Sequence, residues 1–294
     1  VRRRGGGFST CGCWYTDTEF VLKGLQIMCG IAGFVNDMPI DVKCPVLQRM
    51  TDMIAHRGPD SEGHYIDEHA ALGHRRLSII DLGGGQQPIY NEDGSKVITF
   101  NGEIYNYQTL REELIAAGHT FTTKSDTEVL LHGYEQWGVD LLQRVRGMFT
   151  FVIWDKNKQE LFGARDHFGI KPFYYAKMNG TFMYASEIKS LLRHPDFVKE
   201  LNAEALKPYM TFQYPAIGET FFKGVYKLPE GHYFTYRDGK MDIHRYYDED
   251  FREGKQKLGE LVNSIDQTVC DSVKAHQIAD VEVGSFLSSG VDSS

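Results

Sequence analysis

The chain lacks the features that mark several large classes of protein. No run of about 18 apolar residues occurs, so no membrane-spanning helix is predicted. Basic residues are in deficit, with 32 Lys and Arg against 40 Asp and Glu among 294 residues. Because phosphate binding needs a basic face, this balance argues against nucleic acid as a partner. Internal repeats are absent, and the one biased tract is the opening "VRRRGGG".

Cysteine is also scarce. The five cysteines are Cys11, Cys13, Cys29, Cys44 and Cys270. Their odd number and irregular spacing argue against a secreted disulfide framework and favour a reducing, cytoplasmic location. Cys11 and Cys13 would supply only half of a zinc site. The 11 histidines look unclustered, and no metal site is predicted from them.

What is present is the composition of a globular protein, 41% hydrophobic and 24% charged, with 16 Tyr and 18 Phe. Short apolar runs predict strands at "CGIAGFV", "AALGHRRLSIID", "MFTFVIWD", "ELFGARD", "PFYYAKM" and "FMYAS". "IYNEDGSKVITFNGEIYN" is typical of a hairpin, and "RGPDSEG" of a turn. After about residue 200 the pattern loosens into hairpin-like, Gly/Pro-punctuated sequence.

Helical spacing of apolar residues predicts helices at "PVLQRMTDMIAH", "YQTLREELIAAGH", "SDTEVLLHGYEQWG" and "KLGELVNSIDQTVCDSVKAHQI". The third helix begins with a predicted capping box from Ser125 to Glu128 and ends at Gly138. Because the strands cluster and the helices come in blocks, an α+β arrangement fits better than strict βαβ alternation.

A Met-Cys-Gly sequence resembling a protein start lies inside the chain, at "QIMCGIAGF". The preceding 27 residues have no sustained apolar region or small-residue cleavage pattern, so they are a poor secretory signal. We expect upstream sequence or a cloning remnant, with Met28 as the start. A removable propeptide and a genuine appendage remain open.

Cys29 could act as a nucleophile if Met28 is removed. The thiol, with a reference pKa of about 8.5, and a free α-amine, with one of about 7.7–8.0, would then share one residue. The neutral amine could take the thiol proton near neutral pH, which is the logic of enzymes with an N-terminal nucleophile. The alternative is a buried cysteine that packs as a small apolar side chain.

Three other segments carry residues that could together bind a free amino acid with an amide side chain. Arg76 could bind a carboxylate with its two-pronged guanidinium group. Asn101 and Gly102 could donate to an oxyanion, and Glu103 and Asp126 could bind an ammonium group. This combination argues that Cys29 has a role beyond packing.

From Cys29 onward the sequence resembles the glutamine amidotransferases with an N-terminal nucleophile, and more narrowly the bacterial type of glutamine-hydrolysing asparagine synthetase. The matching segments, which cover about 90% of the chain in order, are "MCGIAGF", "HRGPDSEG", "LGHRRLSIIDL", "QQPIYNEDG", "FNGEIYN", "SDTEVLLHGYEQWG", "GMFTFVIWD", "ARDHFGIKPFYY", "ASEIKSLL" and "VGSFLSSGVDSS". The resemblance implies an α+β fold, a four-layer αββα sandwich, followed by the first helix and strand of an α/β ATP-pyrophosphatase domain. The implied divisions are an extension at 1–28, a glutaminase domain at 29–225, and a linker with the start of a synthetase domain at 226–294.

The resemblance also implies roles for individual residues. Catalytic roles fall to Cys29, Asn101 and Gly102. Glutamine would be bound by Arg76, Ile79, Ile80, Asn101, Gly102, Glu103 and Asp126. ATP would be bound by Leu287, Ser288, Ser289, Gly290, Val291, Asp292, Ser293 and Ser294. The synthetase half would use ATP and Mg²⁺, and the glutaminase half would need no cofactor. The ligands would be glutamine, aspartate and ATP. A homodimer is a possible assembly.

The loop "SSGVDSS" has small residues whose backbone N–H groups could surround a phosphate, as in ATP pyrophosphatases. Ser289 stands where that loop usually has glycine. Because such a loop needs a following helix, we expect the sequence to be the front half of a longer enzyme that makes no asparagine by itself. Arg57 and Asp166 are assigned to turns and to a domain interface.

Two kinds of alternative remain. Another amidotransferase, acting on phosphoribosylpyrophosphate, fructose 6-phosphate or a different carboxylate acceptor, would share the glutaminase residues. A catalytically inert interaction module would follow if the extension is retained, because Cys29 would then carry an amide in place of an amine.

Overall fold

Two antiparallel sheets stacked face to face form the centre of the molecule. The computed structural model describes residues 28–214, 218–252, 254, 256–282 and 284. The strands are β1 (Gly30–Val35), β2 (Ser61–Ile66), β3 (Ala70–Arg76), β4 (Ile89–Tyr90), β5 (Lys96–Ile104), β6 (Gly147–Asp155), β7 (Glu160–Arg165), β8 (Tyr174–Met178), β9 (Thr181–Ala185), β10 (Val225–Lys227), β11 (His232–Arg237) and β12 (Lys240–Arg245). Sheet I has the order β10-β8-β9-β1-β3-β2, and sheet II the order β12-β11-β7-β6-β5-β4.

Six α-helices occur among the described residues. They are α1 (Ile40–Asp52), α2 (Tyr107–Ala116), α3 (Asp126–Trp137), α4 (Ile188–Leu191), α5 (Ala203–Phe212) and α6 (Leu258–Ala275), with a 3-10 helix at Gly138–Gln143. Helix α1 packs on sheet I through Leu47 and Met50, which contact Phe34 of β1 in one buried cluster. Helices α2 and α3 pack on sheet II, where Leu114 and Leu130 join Phe100 of β5.

A third apolar cluster fills the space between the sheets. Ile31 and Leu72 from sheet I meet Val97, Trp154 and Phe234 from sheet II there. Each strand alternates its side chains between this space and the helices outside, as the period of a strand requires. The result is four layers, helix, sheet, sheet and helix, which confirms the predicted αββα sandwich.

The boundary predicted at residue 225 falls inside this sandwich. Strand β11 pairs with β7, from Tyr233 opposite Ala164 to Tyr236 opposite Leu161, and β12 pairs with β11. Sheet II therefore continues through Arg245 as one hydrogen-bonded unit. The strand predicted near Val281 is not formed at the described positions 281, 282 and 284, and the rest of that segment lies outside the described residues.

One end of the sandwich gathers several chain segments. Because β1 and β3 run antiparallel with Gly30 opposite Arg75, the start of β1 lies beside the end of β3. Helix α3 begins nearby, since the carboxylate of Asp126 accepts a hydrogen bond of 3.0 Å from the backbone N–H of Ile104 at the end of β5. No helix among the described residues is both long and apolar enough to cross a membrane.

Candidate active site

Cys29 lies directly before β1, at the end of the sandwich where β3 ends. Its sulfur accepts a hydrogen bond from the backbone N–H of Leu77, with a nitrogen–sulfur distance of 3.3 Å. Burial raises the pKa of the thiol, although the Leu77 N–H and the charge of Arg76 act in the opposite direction. The thiol is therefore protonated at neutral pH and needs a base before it can attack a substrate.

Arg57 holds the backbone of Cys29. Its Nε donates to the Cys29 carbonyl oxygen at 3.1 Å, and its Nη1 pairs with Glu187 at 3.2 Å. Arg57 had been assigned to a turn or domain interface, but the structure brings it to the candidate nucleophile. Asp166 does shape a turn, because its carboxylate accepts N–H groups of Phe168 at 3.1 Å and Ile170 at 2.9 Å.

A narrow cavity of about 30 Å³ opens beside Cys29. The lining residues that the sequence predicted are Cys29, Arg76, Ile79, Ile80, Gly102, Glu103 and Asp126. The lining residues that it did not single out are Met28, Leu77, Gly85, Gln87, Phe100, Ser125 and Thr127. Six of the seven predicted glutamine-binding residues thus surround one space, and Asn101 lies outside the lining.

Arg76 closes one side of this cavity and is 5% exposed. Its Nη2 donates to the carbonyl oxygens of Ile80 at 3.0 Å and Asp81 at 2.6 Å, which fixes the plane of the guanidinium group. A Cβ atom at Gly85 would lie 2.7 Å from the same Nη2, so a side chain there would displace the guanidinium group. The Nε and Nη1 donors have no hydrogen-bond partner among the described side chains and backbone, so they remain available to a ligand such as a carboxylate.

Asn101 and Gly102 lie in the last third of β5. The Asn101 side chain is fully buried, and neither of its amide atoms has a hydrogen-bond partner within the described part of the chain. Strand alternation turns it toward the space between the sheets, the same side as Val97. A Cβ at Gly102 would lie 2.1 Å from the Met148 carbonyl oxygen, so close strand pairing requires glycine there.

Glu103 and Asp126 bring two carboxyl groups to the cavity wall. Burial raises the pKa of Asp126 to about 7, and the negative charge of Glu103 adds to the rise while the Ile104 N–H opposes it. Burial also raises the pKa of Glu103, against the attraction of the Lys171 ammonium group. Ionising both carboxyl groups is therefore costly, and a cationic ligand between them would stabilise their ionised forms.

The start of α3 differs from its prediction in one respect. Ser125 caps the helix, since its Oγ accepts the N–H of Thr127 at 3.2 Å. Glu128 does not complete a capping box. Its carboxylate accepts the backbone N–H groups of Thr122 and Thr123, each at 2.7 Å, because the preceding turn places these donors closer than the N–H of Ser125.

Gln87, in the segment "QQPIYNEDG", was not assigned to the site by the sequence analysis. Its Oε1 accepts the backbone N–H of Phe100 at 2.6 Å, and its Nε2 donates to Thr127 Oγ1 at 3.2 Å. It thereby ties β5 to the start of α3 across the cavity. No periodicity marks such a residue, because its role depends on contacts distant in sequence.

The segment after α6 contacts the loop that follows Arg76. The backbone N–H of Asp280 donates to the Ile79 carbonyl oxygen at 3.0 Å, and the Asp280 carboxylate accepts the Asp81 N–H at 2.7 Å. The ring of His276 lies 4.2 Å from that of Tyr105, measured between centroids. The predicted ATP-binding residues Leu287 and 288–294 lie outside the described residues.

The expectation that the histidines are unclustered is wrong for His119 and His132. Their ring centroids lie 5.1 Å apart, although 13 positions separate them along the chain. The contact arises because the turn after α2 folds back over α3. Sequence spacing alone does not reveal it.

Comparison with known proteins places these residues in a recognised domain. Residues 28–247 match the family described as "Glutamine amidotransferase domain", and residues 264–294 match "Asparagine synthase". The chain is 46% identical to asparagine synthetase [glutamine-hydrolyzing] 1 of Bacillus subtilis (strain 168), over 91% of this chain and 43% of that protein. It is 36% identical to synthetase 3 of the same organism, over 91% of this chain and 44% of that protein.

The chain therefore spans less than half the length of these two relatives.

Among solved structures, it is similar to the B. subtilis glutamine phosphoribosylpyrophosphate (PRPP) amidotransferase complexed with ADP and GMP. The TM-score is 0.57 at 18% identity, over 75% of this chain and 50% of that chain. At this identity the likeness concerns the fold alone.

Proposed function

The chain belongs to the glutamine amidotransferase domain family, and we propose that its site around Cys29 hydrolyses glutamine to glutamate and ammonia. The observation that carries the proposal is the shared cavity. A thiol, a guanidinium group and two carboxyl groups face one space at the end of the sandwich, on Cys29, Arg76, Glu103 and Asp126. This set matches the carboxylate, ammonium and amide groups of a free amino acid with an amide side chain.

Arg76 binds the α-carboxylate of glutamine through its guanidinium group, with the backbone of Ile79 and Ile80 beside it. Glu103 and Asp126 bind the α-ammonium group, whose charge favours the ionised form of both carboxyl groups. These contacts fix the amino acid end of the substrate and direct its side-chain amide toward the Cys29 sulfur. Arg76 and Asp126 are buried and Glu103 is half-buried, so these ion pairs become strong once water is displaced.

The reaction proceeds through a thioester. The α-amine of Cys29 takes the thiol proton, and the thiolate attacks the amide carbon of glutamine to form a tetrahedral oxyanion. The Asn101 side chain and the Gly102 backbone N–H stabilise this oxyanion, an effect of a few kcal/mol for each donor, about 3–4 in measured cases. The carbon–nitrogen bond breaks, ammonia leaves with the transferred proton, and water then hydrolyses the thioester to glutamate and the free thiol.

This mechanism requires an unmodified amine on Cys29. In the chain described here that nitrogen is joined to Met28, whose side chain lines the same cavity. Removing residues 1–28 would free the base and enlarge the substrate space together. We therefore propose that the active form begins at Cys29, and that an inert protein results if the extension is retained.

At the level of the whole protein, we propose glutamine-dependent asparagine synthesis, in which ammonia passes to an aspartate activated by ATP with Mg²⁺. The match of residues 264–294 and the synthetase relatives support this reading. Residues 226–294 would link to the synthetase domain and 287–294 would contact ATP. A cytoplasmic location and a homodimer belong to the same proposal. A different carboxylate acceptor is the competing reading, since the residues that choose the acceptor belong to the synthetase part.

The test compares protein that begins at Cys29 with its Cys29→Ala variant and with the chain that retains Val1. Glutamate release from glutamine is measured, and N-terminal sequencing establishes where each preparation starts. We expect activity only in the protein that begins with Cys29. The matched control is Cys44→Ala, which removes an exposed free thiol on α1. Full glutaminase activity in Cys29→Ala would refute the nucleophile assignment.

A further inference from the structure

Two histidines and two glutamates converge on the outer surface of sheet II, away from Cys29. We call Glu92, His119, His132 and Glu135 the His119–His132 cluster. Each offers one nitrogen or oxygen donor, and these four donor atoms all lie within 4.8 Å of one another. Glu92 follows β4, His119 follows α2, and the other two lie one turn apart on α3.

Three donor pairs have the separation found around a tetrahedral metal ion. His132 Nδ1 lies 3.3 Å from Glu92 Oε2 and 3.2 Å from Glu135 Oε2. His119 Nδ1 lies 3.3 Å from the other Glu92 oxygen, Oε1. Donors bound at about 2.0–2.1 Å from a tetrahedral zinc ion lie about 3.3 Å from one another. The remaining donors lie within 4.8 Å of one another, so His119, on a turn and 15% exposed, moves inward when the shell closes around an ion.

His119 is held from behind by an acceptor outside the cluster, and His132 has one nearby. The Nε2 of His119 lies 3.2 Å from Gln136 Oε1, which accepts its proton and leaves Nδ1 free to bind a metal. The Nε2 of His132 lies 3.5 Å from Glu128 Oε1 and has no hydrogen-bond partner among the described residues. A metal-bound histidine almost always donates its other N–H to such an acceptor, which sets the tautomer and the ring orientation.

The acidic donors are also held. Glu135 keeps Oε2 toward His132, while its Oε1 accepts from Asn91 Nδ2 at 2.7 Å and Lys96 Nζ at 3.3 Å. Glu92 Oε1 accepts the backbone N–H of Thr120 at 3.0 Å. The acceptors are therefore oriented by contacts that do not involve the histidines. Such independent orientation favours a preformed site over a chance meeting of flexible side chains.

The charges fit a divalent cation. Glu92, Glu128 and Glu135 contribute three negative charges and Lys96 one positive charge, while both imidazole rings are neutral when they act as ligands. One divalent ion brings this sum to zero. Access is also present, since a surface cavity of about 320 Å³ is lined by Glu92, Thr120 and Glu128.

We propose that the His119–His132 cluster binds one divalent transition-metal ion of the zinc class. Four protein donors fill a tetrahedral shell, so the site is a structural one with no position left for a substrate. The ion joins the turn after α2 to the end of α3, the helix whose first residue is Asp126. It thereby fixes the helix that positions one wall of the glutamine cavity.

The test uses the full chain, treated with a chelator, dialysed and titrated with ZnCl₂ by calorimetry. A parallel titration with Co²⁺ reads the geometry, because a tetrahedral ion gives an intense visible band. We expect one ion per chain and no thiolate charge-transfer band, since the donors are nitrogen and oxygen. A thiolate band that disappears in a Cys11→Ser/Cys13→Ser variant would assign the metal to that other pair and overturn the proposal.

Variants at the exposed side of the cluster test the donors without disturbing the core. We expect His119→Gln and Glu92→Gln to weaken Zn²⁺ binding tenfold or more. Gln136→Ala, which touches no ion directly, should weaken it roughly 10–100-fold, as losses behind a ligand usually do. His69→Gln is the matched control, because His69 pairs with an aspartate outside the cluster. Unchanged affinity in all three variants, or no binding at all, would show that the cluster is a salt-bridge network only.

Discussion

Replacing Asp126 by asparagine is expected to stabilise the folded protein above neutral pH while abolishing glutamine hydrolysis. The pKa of this buried carboxyl group rises from its ordinary 3.8 to about 7. At 1.36 kcal/mol for each pKa unit, holding it ionised in the fold costs about 4 kcal/mol. Asparagine removes that cost, keeps an acceptor for the Ile104 N–H, and can donate to Ser125 Oγ, which lies 3.4 Å from the present Oδ1.

Part of this gain is lost elsewhere. Asp126 is the first residue of α3, where a negative charge favours the helix by about 0.3–1 kcal/mol. An imperfect hydrogen bond from the new amide costs about 1 kcal/mol more. We therefore expect a net stabilisation of about 2 kcal/mol, which raises the melting temperature by roughly 4–8 °C in a domain of this size.

The pH dependence identifies the cause. Below pH 3.8 the aspartate is protonated in both the folded and unfolded states, so it costs nothing. As the pH rises toward 7, only the unfolded state ionises, and the wild-type protein loses stability relative to the variant. Melting temperatures of the two proteins should converge near pH 4.5 and separate by pH 8.

A matched control is Asp140→Asn, which removes an exposed carboxylate from the 3-10 helix. It should leave the melting temperature nearly unchanged at every pH. The reasoning from burial would be refuted if Asp126→Asn and wild type had equal melting temperatures at pH 8. It would also be refuted if the melting temperature of the wild type rose relative to that of the variant with increasing pH.

Three further outcomes are expected. In the wild type, KM for glutamine should rise as the pH falls below about 7, because protonated Asp126 cannot pair with the substrate ammonium; steady-state kinetics would show a flat profile if another group binds it. Arg165→Met should lower the free energy of unfolding, measured by urea titration, by about 3 kcal/mol or more, because Arg165 donates to three carbonyl oxygens at 2.6–2.7 Å. A loss under about 1 kcal/mol would contradict this. Gly33→Ala should cost about 1–3 kcal/mol, because a Cβ there would lie 2.5 Å from both the Ala71 carbonyl oxygen and the Tyr184 hydroxyl; an unchanged melting temperature would contradict this.

The sequence predicted elements well where one face is buried. The predicted helix at "SDTEVLLHGYEQWG" is found at Asp126–Trp137. The edge strand Ser61–Ile66 was predicted as a turn, because it is polar and Tyr65 is its only buried residue. Helix Ala203–Phe212 was missed for a related reason. Only Ala205 of this helix is buried, so its apolar residues do not form a stripe that packs on the core.

The candidate site was predicted in its composition but not in its connections. Arg76 and Asp126 could be named from their motifs, and both line the cavity. Gln87 and Arg57 could not be assigned to it, because each acts through backbone groups brought near by the two sheets. Long-range contacts of this kind leave no local signal in a single sequence.

The pair of hydrogen bonds between Asp280 and the loop at Ile79 and Asp81 has a mechanical consequence. That loop also supplies the carbonyl oxygens of Ile80 and Asp81 that hold the Arg76 guanidinium group. A shift of the segment behind helix α6 must either break both bonds or pull the arginine's support with it. Movement of that helix would thereby reach the support of Arg76, the residue proposed to bind the substrate carboxylate.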